Sequence, residues 1–457
     1  MRDTIAAIAS GITASGIGIV RISGPGAFRV LEKIFRFANP NKKVSTQKAN
    51  TIHYGFIYDG DEKIDEVLVM LMKAPHTYTA EDTVEIDCHG GPYVMQQILS
   101  VALRSGARMA EPGEFTKRAF LNGRIDLSEA EAVMDVIGAG SEDALKSSLM
   151  QLGGSLKREI TALREEIITE VAFIESALDD PEHYDLTGHT KEMTSHIKDI
   201  LGRLDRLSAS FNEGRLVREG IYTVILGKPN AGKSSLLNYV SGMERAIVTD
   251  IAGTTRDTLE ETVRIGGIVL RIADTAGIRN TGDVIEKIGV ERALLSAERA
   301  DLILAVFDTS VPLSEEDEKI FEKIKGRRAI VLLNKSDLVP AFSAEDIKSR
   351  CTSPVIAISA KEETGMDELA RVIRDMFFGG QLHINEQTMI TNVRHKECVE
   401  EAVSSLKLVL SAVEDGMPED FFTVDLMDAY AALGRILGEQ VEDDLVETIC
   451  AKFCMGK

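Results

Sequence analysis

Gly227-Lys228-Pro229-Asn230-Ala231-Gly232-Lys233-Ser234 stands between an apolar run at 222–226 and the helix-forming text Ser235-Leu236-Leu237. A glycine loop ending in Lys-Ser between a strand and a helix constrains this part of the chain more than any other feature, because it requires an α/β sheet whose strand end faces a helix N-terminus. Its small residues let successive backbone N–H groups close around phosphates, and the helix end adds positive potential. Lys233 neutralises the β and γ oxygens, and Ser234 offers a hydroxyl to Mg2+. The runs 222–226, 269–273, 302–307, 330–333 and 355–358 are compact and apolar and alternate with helical text, the pattern of a parallel sheet covered on both faces.

Each further element follows one of these strands. Asp274-Thr275-Ala276-Gly277 ends the second, where a carboxylate holds Mg2+ through water and a glycine N–H meets the γ-phosphate. Asn334-Lys335-Ser336-Asp337 ends the fourth. A carboxylate at Asp337 accepts from both the ring N–H and the exocyclic amine of guanine, which adenine does not offer, so the expected ligand is GTP. Ser359-Ala360-Lys361 completes the base pocket. The intervening loop, with Thr249, Ile251, Ala252, Gly253, Thr254 and Thr255, is the expected switch, its threonine hydroxyls placed to reach Mg2+ and the γ-phosphate. Where many small GTPases carry a water-orienting glutamine, this chain has Ile278. Glu286 is the candidate to orient water, its alternative being a solvated charge at a helix start. Asn230 either ligates a monovalent cation beside the phosphates or braces the loop.

At 457 residues the chain is too long for one core. Residues 1–118 mix β-rich runs at 17–22, 67–72 and 83–87 with a helical pattern at 94–103, an α+β text. Helical periodicity then dominates, with Ile160, Leu163, Ile167, Val171, Ile174 and Leu178 in one stripe and Ile197, Leu201, Leu204, Leu207 and Phe211 in another. It returns after the α/β unit with Val399, Val403, Leu406, Leu410 and Val413. The expected organisation is therefore 1–118, a helical part at 119–216, the α/β domain at 217–380 and a second helical part at 381–457. The helical parts form either one domain with the α/β unit inserted or two separate domains.

Lys+Arg total 52 against 73 Asp+Glu, a formal net charge of −21, which argues against an autonomous nucleic-acid binder. Residues 381–457 carry 15 acidic and 6 basic side chains, a face suited to a basic protein partner. Five scattered cysteines, with no CxxC pair or zinc-like cluster, fit a reducing cytoplasm. The uncharged stretch 4–20 is broken by glycines and reads as neither signal peptide nor membrane span, and no membrane association is expected.

With the loop GKPNAGKSSLLN, the switch AGTTRD, DTAG, NKSD, Glu286 and the ending Cys454-Met455-Gly456-Lys457, the chain resembles the MnmE (TrmE) family of bacterial tRNA-modification GTPases. Outside the α/β domain the likeness rests on VRISG at 20–24, HGGP at 89–92 and PGEFTKRAFLNGR at 112–124. The resemblance implies an N-terminal domain that dimerises and binds 5-formyltetrahydrofolate or a related folate, a discontinuous helical domain, and an inserted Ras-like P-loop GTPase domain with a mostly parallel sheet. It implies K+-stimulated hydrolysis, with K+ at Asn230, Thr249, Ile251 and Thr254, Mg2+ at Ser234 and Thr255, and Glu286 as the water-orienting acid. The folate would fall to Arg21, Glu85 and Arg124 with Lys457 nearby. Taken alone, Arg21 and Glu85 read as ordinary strand charges, and Cys454 is either a thiol near the folate or a small core residue. The implied activity, shared with the flavoprotein partner MnmG in a heterotetramer, places a carboxymethylaminomethyl or aminomethyl group on C5 of the wobble uridine of certain tRNAs, which are contacted mainly through the complex. A ribosome-assembly GTPase and a folate-binding scaffold switched by GTP are the alternatives, although no KH-type GxxG loop follows the α/β domain.

Overall fold

The computed structural model describes residues 3–180, 189–243, 261–273, 297–379, 388–439 and 456. They form two compact units, one of the described residues in 3–134 with 434–439 and 456, the other of the described residues between 135 and 433.

The first unit is built on strands β1 (Ile5–Ile8), β2 (Ser15–Ser23), β3 (Phe35–Phe37), β4 (Thr51–Asp59), β5 (Glu62–Met72), β6 (Thr83–Gly90) and β7 (Arg108–Met109). They form one sheet in the order β3-β4-β5-β6-β2-β1-β7, antiparallel except for the β1–β7 pair. Alternation along β6 decides what each face does. Val84, Ile86 and Cys88 join the core with helices Ala27–Ile34 and Pro92–Arg104, whereas Glu85 and Asp87 belong to the opposite face. On that face Arg21 of β2 is the register partner of Glu85.

The PGEFTKRAFLNGR stretch forms helix Glu114–Leu121 and the turn after it, and its Arg118 explains the tight local text. The guanidinium is buried and pairs with Asp3 at 2.8 Å, Glu114 at 2.9 Å and Glu81 at 3.1 Å. Arg108 adds a two-pronged contact to Glu114 at 2.7 and 3.0 Å. Asn122 Nδ2 donates to the Thr79 carbonyl at 2.6 Å, so the helix also holds the loop that carries Tyr78.

In the second unit, strands β8 (Ile221–Leu226), β9 (Glu261–Ile265), β10 (Ile268–Ile272), β11 (Leu302–Asp308), β12 (Ala329–Asn334) and β13 (Val355–Ala357) order as β13-β12-β11-β8-β10-β9. All neighbours are parallel except the β9–β10 hairpin. Every residue of β11 and β12 is buried because two cores cover the sheet. Leu302, Leu304 and Val306 pack into one, and Ile303, Ala305 and Phe307 into the other. The loop after β8 therefore opens at the carboxyl end of a central strand where the strand order reverses, the usual place for a ligand in such a sheet.

Helices Glu142–Leu152, Ser155–Asp179 and His189–Glu219 precede this sheet, and Val393–Glu414 follows it. The returning chain is gripped by the earlier helices. Gln151 Nε2 donates to the Met389 carbonyl at 3.1 Å, the Ile390 N–H donates to Ser210 Oγ at 3.2 Å, and a β-carbon on Gly214 would sit 2.4 Å from the Ile390 carbonyl. Both helical stretches thus belong to one compact unit with the α/β sheet. One expected stripe ends differently from its periodicity. Ile160 through Ile174 are buried, but Leu178 is exposed and Ala177 takes the inward position in the last turn of Ser155–Asp179. Likewise Val409 is fully buried in Val393–Glu414 where Leu410 and Val413 are only partly so. Among the described residues no helix is long and apolar enough to cross a membrane.

Candidate functional site

The glycine loop leaves β8 at Gly227 and enters helix Lys233–Met243 directly at Lys233. Asn230 has φ 60° and Gly232 φ 97°, so the loop is bent through the left-handed region twice within three residues. Lys233 Nζ donates to the carbonyls of Gly227 at 2.7 Å and Lys228 at 2.8 Å, which folds its ammonium back across the loop. Ser234 lies in the first helical turn, where a hydroxyl can join a cation's coordination shell.

Asn334, at the end of β12, joins three loops. Its Nδ2 donates to the Ala231 carbonyl at 2.9 Å and its Oδ1 accepts from the Ala360 N–H at 3.2 Å. Both functions of the amide are used and the residue is 2% exposed, so Asn334 fixes the phosphate loop against the base loops. Lys335 follows with φ 63°, and its Nζ pairs with Asp308 Oδ2 at 2.5 Å. Burial works against the Asp308 charge, but hydrogen bonds from Lys335 and Ser310 outweigh it and hold the carboxyl below the usual range.

Asp337 is exposed, and its Oδ1 accepts from the buried Ser359 hydroxyl at 2.7 Å. That bond is the main cause of its lowered pKa, with Lys361 and Lys335 adding to it. The result is a carboxylate kept ionised and oriented, with a second oxygen for a ligand's N–H groups. The Lys361 side chain is 79% exposed. The described part of the cradle thus brings together Asn230, Ala231, Gly232, Lys233, Ser234, Asn334, Lys335, Asp337, Ser359, Ala360 and Lys361 in one unit. Thr249, Ile251, Ala252, Gly253, Thr254, Thr255, Asp274, Thr275, Ala276, Gly277 and Glu286 lie outside the described residues, as do Cys454 and Lys457.

In the first unit, Arg21 Nε pairs with Glu85 Oε1 at 2.7 Å and Arg21 Nη1 donates to the Gly456 carbonyl at 2.9 Å. The guanidinium also lies 5.6 Å from the Tyr78 ring centroid and 5.5 Å from that of Phe115. Arg124 stacks on Tyr78 from 4.9 Å and donates to the Tyr78 carbonyl at 2.9 Å. A cluster of two guanidiniums, a carboxylate and an aromatic ring suits a planar heterocycle that carries both N–H donors and carboxylates. Gly456 is seated on β1 so tightly that a β-carbon would fall 2.4 Å from Ala9 Cα and 2.6 Å from the Ile8 carbonyl.

Sequence reasoning missed Tyr78, Phe115 and Asp87 here. Asp87 lies two residues from Glu85 on the same strand face, and its Oδ1 is buried without a hydrogen-bond partner among the described residues. Burial, reinforced by Glu85, pushes its pKa up. The alternation of β6 carried the signal, since a second acid on a face already holding Glu85 needs a reason.

The family model described as GTP-binding protein TrmE N-terminus matches residues 4–124, and that of the MnmE helical domain matches residues 127–454. A tRNA modification GTPase MnmE of Lachnoclostridium phytofermentans is 54% identical over 455 residues, covering 100% of this chain and 99% of that protein. Proteins of the same name are 46% identical in Acetivibrio thermocellus, over 100% of this chain and 99% of the relative, and in Finegoldia magna, over 100% of both. With family models matching both of its units and relatives alike along their whole length, the chain belongs to the MnmE family of tRNA modification GTPases.

Proposed function

We propose that the chain couples K+-stimulated GTP hydrolysis to the modification of C5 of the wobble uridine in certain tRNAs, as a homodimer working with the flavoprotein MnmG. The observation that carries the reading is the full-length likeness to tRNA modification GTPases, together with a guanine cradle whose described parts are already interlocked through Asn334.

In this reading Asp337 selects guanine, its carboxylate oriented by Ser359. Backbone N–H groups of Ala231 to Ser234 close on the phosphates, and the Lys233 ammonium exchanges its two carbonyl partners for phosphate oxygens. Mg2+ would be held by Ser234 and Thr255, and K+ by Asn230, Thr249, Ile251 and Thr254; bound there, these cations supply positive charge to the leaving phosphates. The switch containing Thr249, Ile251, Ala252, Gly253, Thr254 and Thr255, with Asp274, Thr275, Ala276 and Gly277, responds to the γ-phosphate, and Glu286 orients the attacking water.

The folate is assigned to Arg21, Glu85, Arg124 and Lys457, with Cys454 near them; a 5-formyltetrahydrofolate or related folate held there would supply a one-carbon unit. Arg21 and Arg124 suit its carboxylates or ring edge, and Tyr78 offers a stacking face. The acidic 381–457 segment suits a basic face of MnmG, which would make most of the tRNA contact in a heterotetramer. A cytoplasmic location follows from that substrate.

The experiment is nucleoside mass spectrometry of total tRNA from a strain lacking the gene, complemented with wild type or with Asp337→Asn. Loss of the wobble modification, restored by wild type alone, is the expected result; persistence of the modification without the gene would overturn the reading. Equal hydrolysis rates in K+ and Na+ would remove the potassium assignment.

A further inference from the structure

The end of β11 and the helix that follows it hold two lysines of the nucleotide cradle by their ammonium groups. Asp308 takes Lys335 of the base loop, and Asp317 takes Lys228 of the phosphate loop at 2.8 Å. The second pair is the more deeply placed, with the Asp317 side chain 1% exposed and that of Lys228 15%. Removing one partner of such a pair leaves a charge in low dielectric without compensation.

Asp317 also accepts, on the same Oδ2, the backbone N–H and the hydroxyl of Ser314, each at 2.8 Å. Those contacts are the capping box of helix Glu315–Ile324 and need no further explanation. Lys228 does, since it comes from 89 positions earlier and from the loop that must close on phosphate. Its ammonium is taken up by Asp317 while its carbonyl accepts from Lys233 Nζ. The carbonyl that Lys233 gives up for phosphate is therefore held in place through the Lys228 side chain.

We infer that Asp317 is a positioning residue for the guanine nucleotide: through Lys228 it fixes the first turn of the phosphate loop, and with it the point from which Lys233 meets the phosphates. This deepens the GTP reading above and rests on it.

The test uses the full chain with three variants. Asp317→Asn keeps an oxygen for the Ser314 cap but loses the charge; Lys228→Met leaves the cap untouched and loses the ammonium; Asp317→Glu restores the charge. Affinities for GDP and a nonhydrolysable GTP analogue are measured with melting temperatures and with kcat and KM for GTP. Asp317→Asn and Lys228→Met are each expected to weaken nucleotide binding roughly tenfold, the scale of one charge-assisted hydrogen bond. The double variant should be no weaker than the weaker single one, Asp317→Glu should recover part of the loss, and Lys228→Met, which leaves the buried Asp317 carboxylate uncompensated, should lower the melting temperature as well as the affinity. A lower melting temperature in Asp317→Asn with unaltered affinity would reduce Asp317 to a helix cap and overturn the inference. So would weakened binding in Lys228→Met alone, or additive losses in the double variant. Failure of the wild-type chain to bind either nucleotide would instead remove the GTP reading itself.

Discussion

A β-carbon built on Gly232 would lie 2.0 Å from Asn334 Nδ2, the amide that donates to the neighbouring Ala231 carbonyl. The phosphate loop and the end of β12 are thus in close contact at this point. Gly232→Ala, at φ 97°, adds backbone strain of about 1–3 kcal/mol to this clash. We expect it to displace Asn334 and abolish measurable GTP binding in calorimetric titration. Gly242→Ala, with open space around the added methyl in helix Lys233–Met243, should bind normally and gain about 0.5–1 kcal/mol of stability.

Asp337 gives a pH signature. Its carboxyl is held below the usual range, chiefly by Ser359, so its charge is complete above the ordinary aspartate pKa and is lost only as pH falls through the lower folded value. Ser359→Ala should move the acid limb of the GTP-binding profile upward, toward that ordinary value. Asp337→Asn should reverse the base preference, losing GTP and gaining xanthosine triphosphate, because its amide donates where the carboxylate accepted. Dissociation constants for both nucleotides across pH check the two outcomes together.

The Arg21 fork reaches Glu85 and the Gly456 carbonyl at once, geometry that lysine cannot copy. Arg21→Lys should weaken 5-formyltetrahydrofolate binding by about 1.5–3 kcal/mol, the scale of a hydrogen bond to a charged group. Gly456→Ala, whose β-carbon would strike Ala9 and Ile8, should weaken it as well by lifting Gly456 off β1. Unchanged titrations for both variants would remove this cluster from the folate assignment.

Arg118 pairs with three carboxylates from a buried position, so Arg118→Met should destabilise the first unit by about 3–5 kcal/mol in denaturant unfolding. Arg108 is the largest cause that draws Asp3 down to about 2, with Arg118 contributing. The stabilisation from Asp3 is complete above its ordinary value and disappears as pH falls through about 2, so the variant, in which Arg108 alone draws Asp3 down, should show a smaller acid loss from this group than wild type, finished at a higher pH.

Strands β11 and β12 were legible because both faces are buried and the text is apolar without interruption. Half-buried β4 and the edge strand β9 were not, since short alternating runs compete weakly with turn and loop text. Leu178 misled because the spacing after Ile174 admits either a three- or a four-residue step, and the helix turns Ala177 inward instead. The nucleotide loops announce themselves through backbone geometry that only certain residues allow, as at Gly232. Asp317 did not, because Ser-Glu-Glu-Asp reads as an ordinary helix start and nothing in one dimension brings it to Lys228. Arg118 lay inside a motif specific enough to identify a family, yet its acids at Asp3 and Glu81 are far away in the chain.

The returning strand of chain at Met389 and Ile390, gripped by Gln151 and Ser210, sets a schedule for biosynthesis. Helix His189–Glu219 leaves the ribosome before the entire α/β unit has been made, and its partner Val393–Glu414 arrives only afterwards. At ~5–20 residues per second the delay is on the order of ten seconds or more. During it the apolar stripe of the first helix waits without its cover, while the nucleotide-binding unit is free to fold. The newborn chain is therefore most exposed to chaperones and proteases in that interval, and a bound guanine nucleotide is positioned to stabilise the part that forms first.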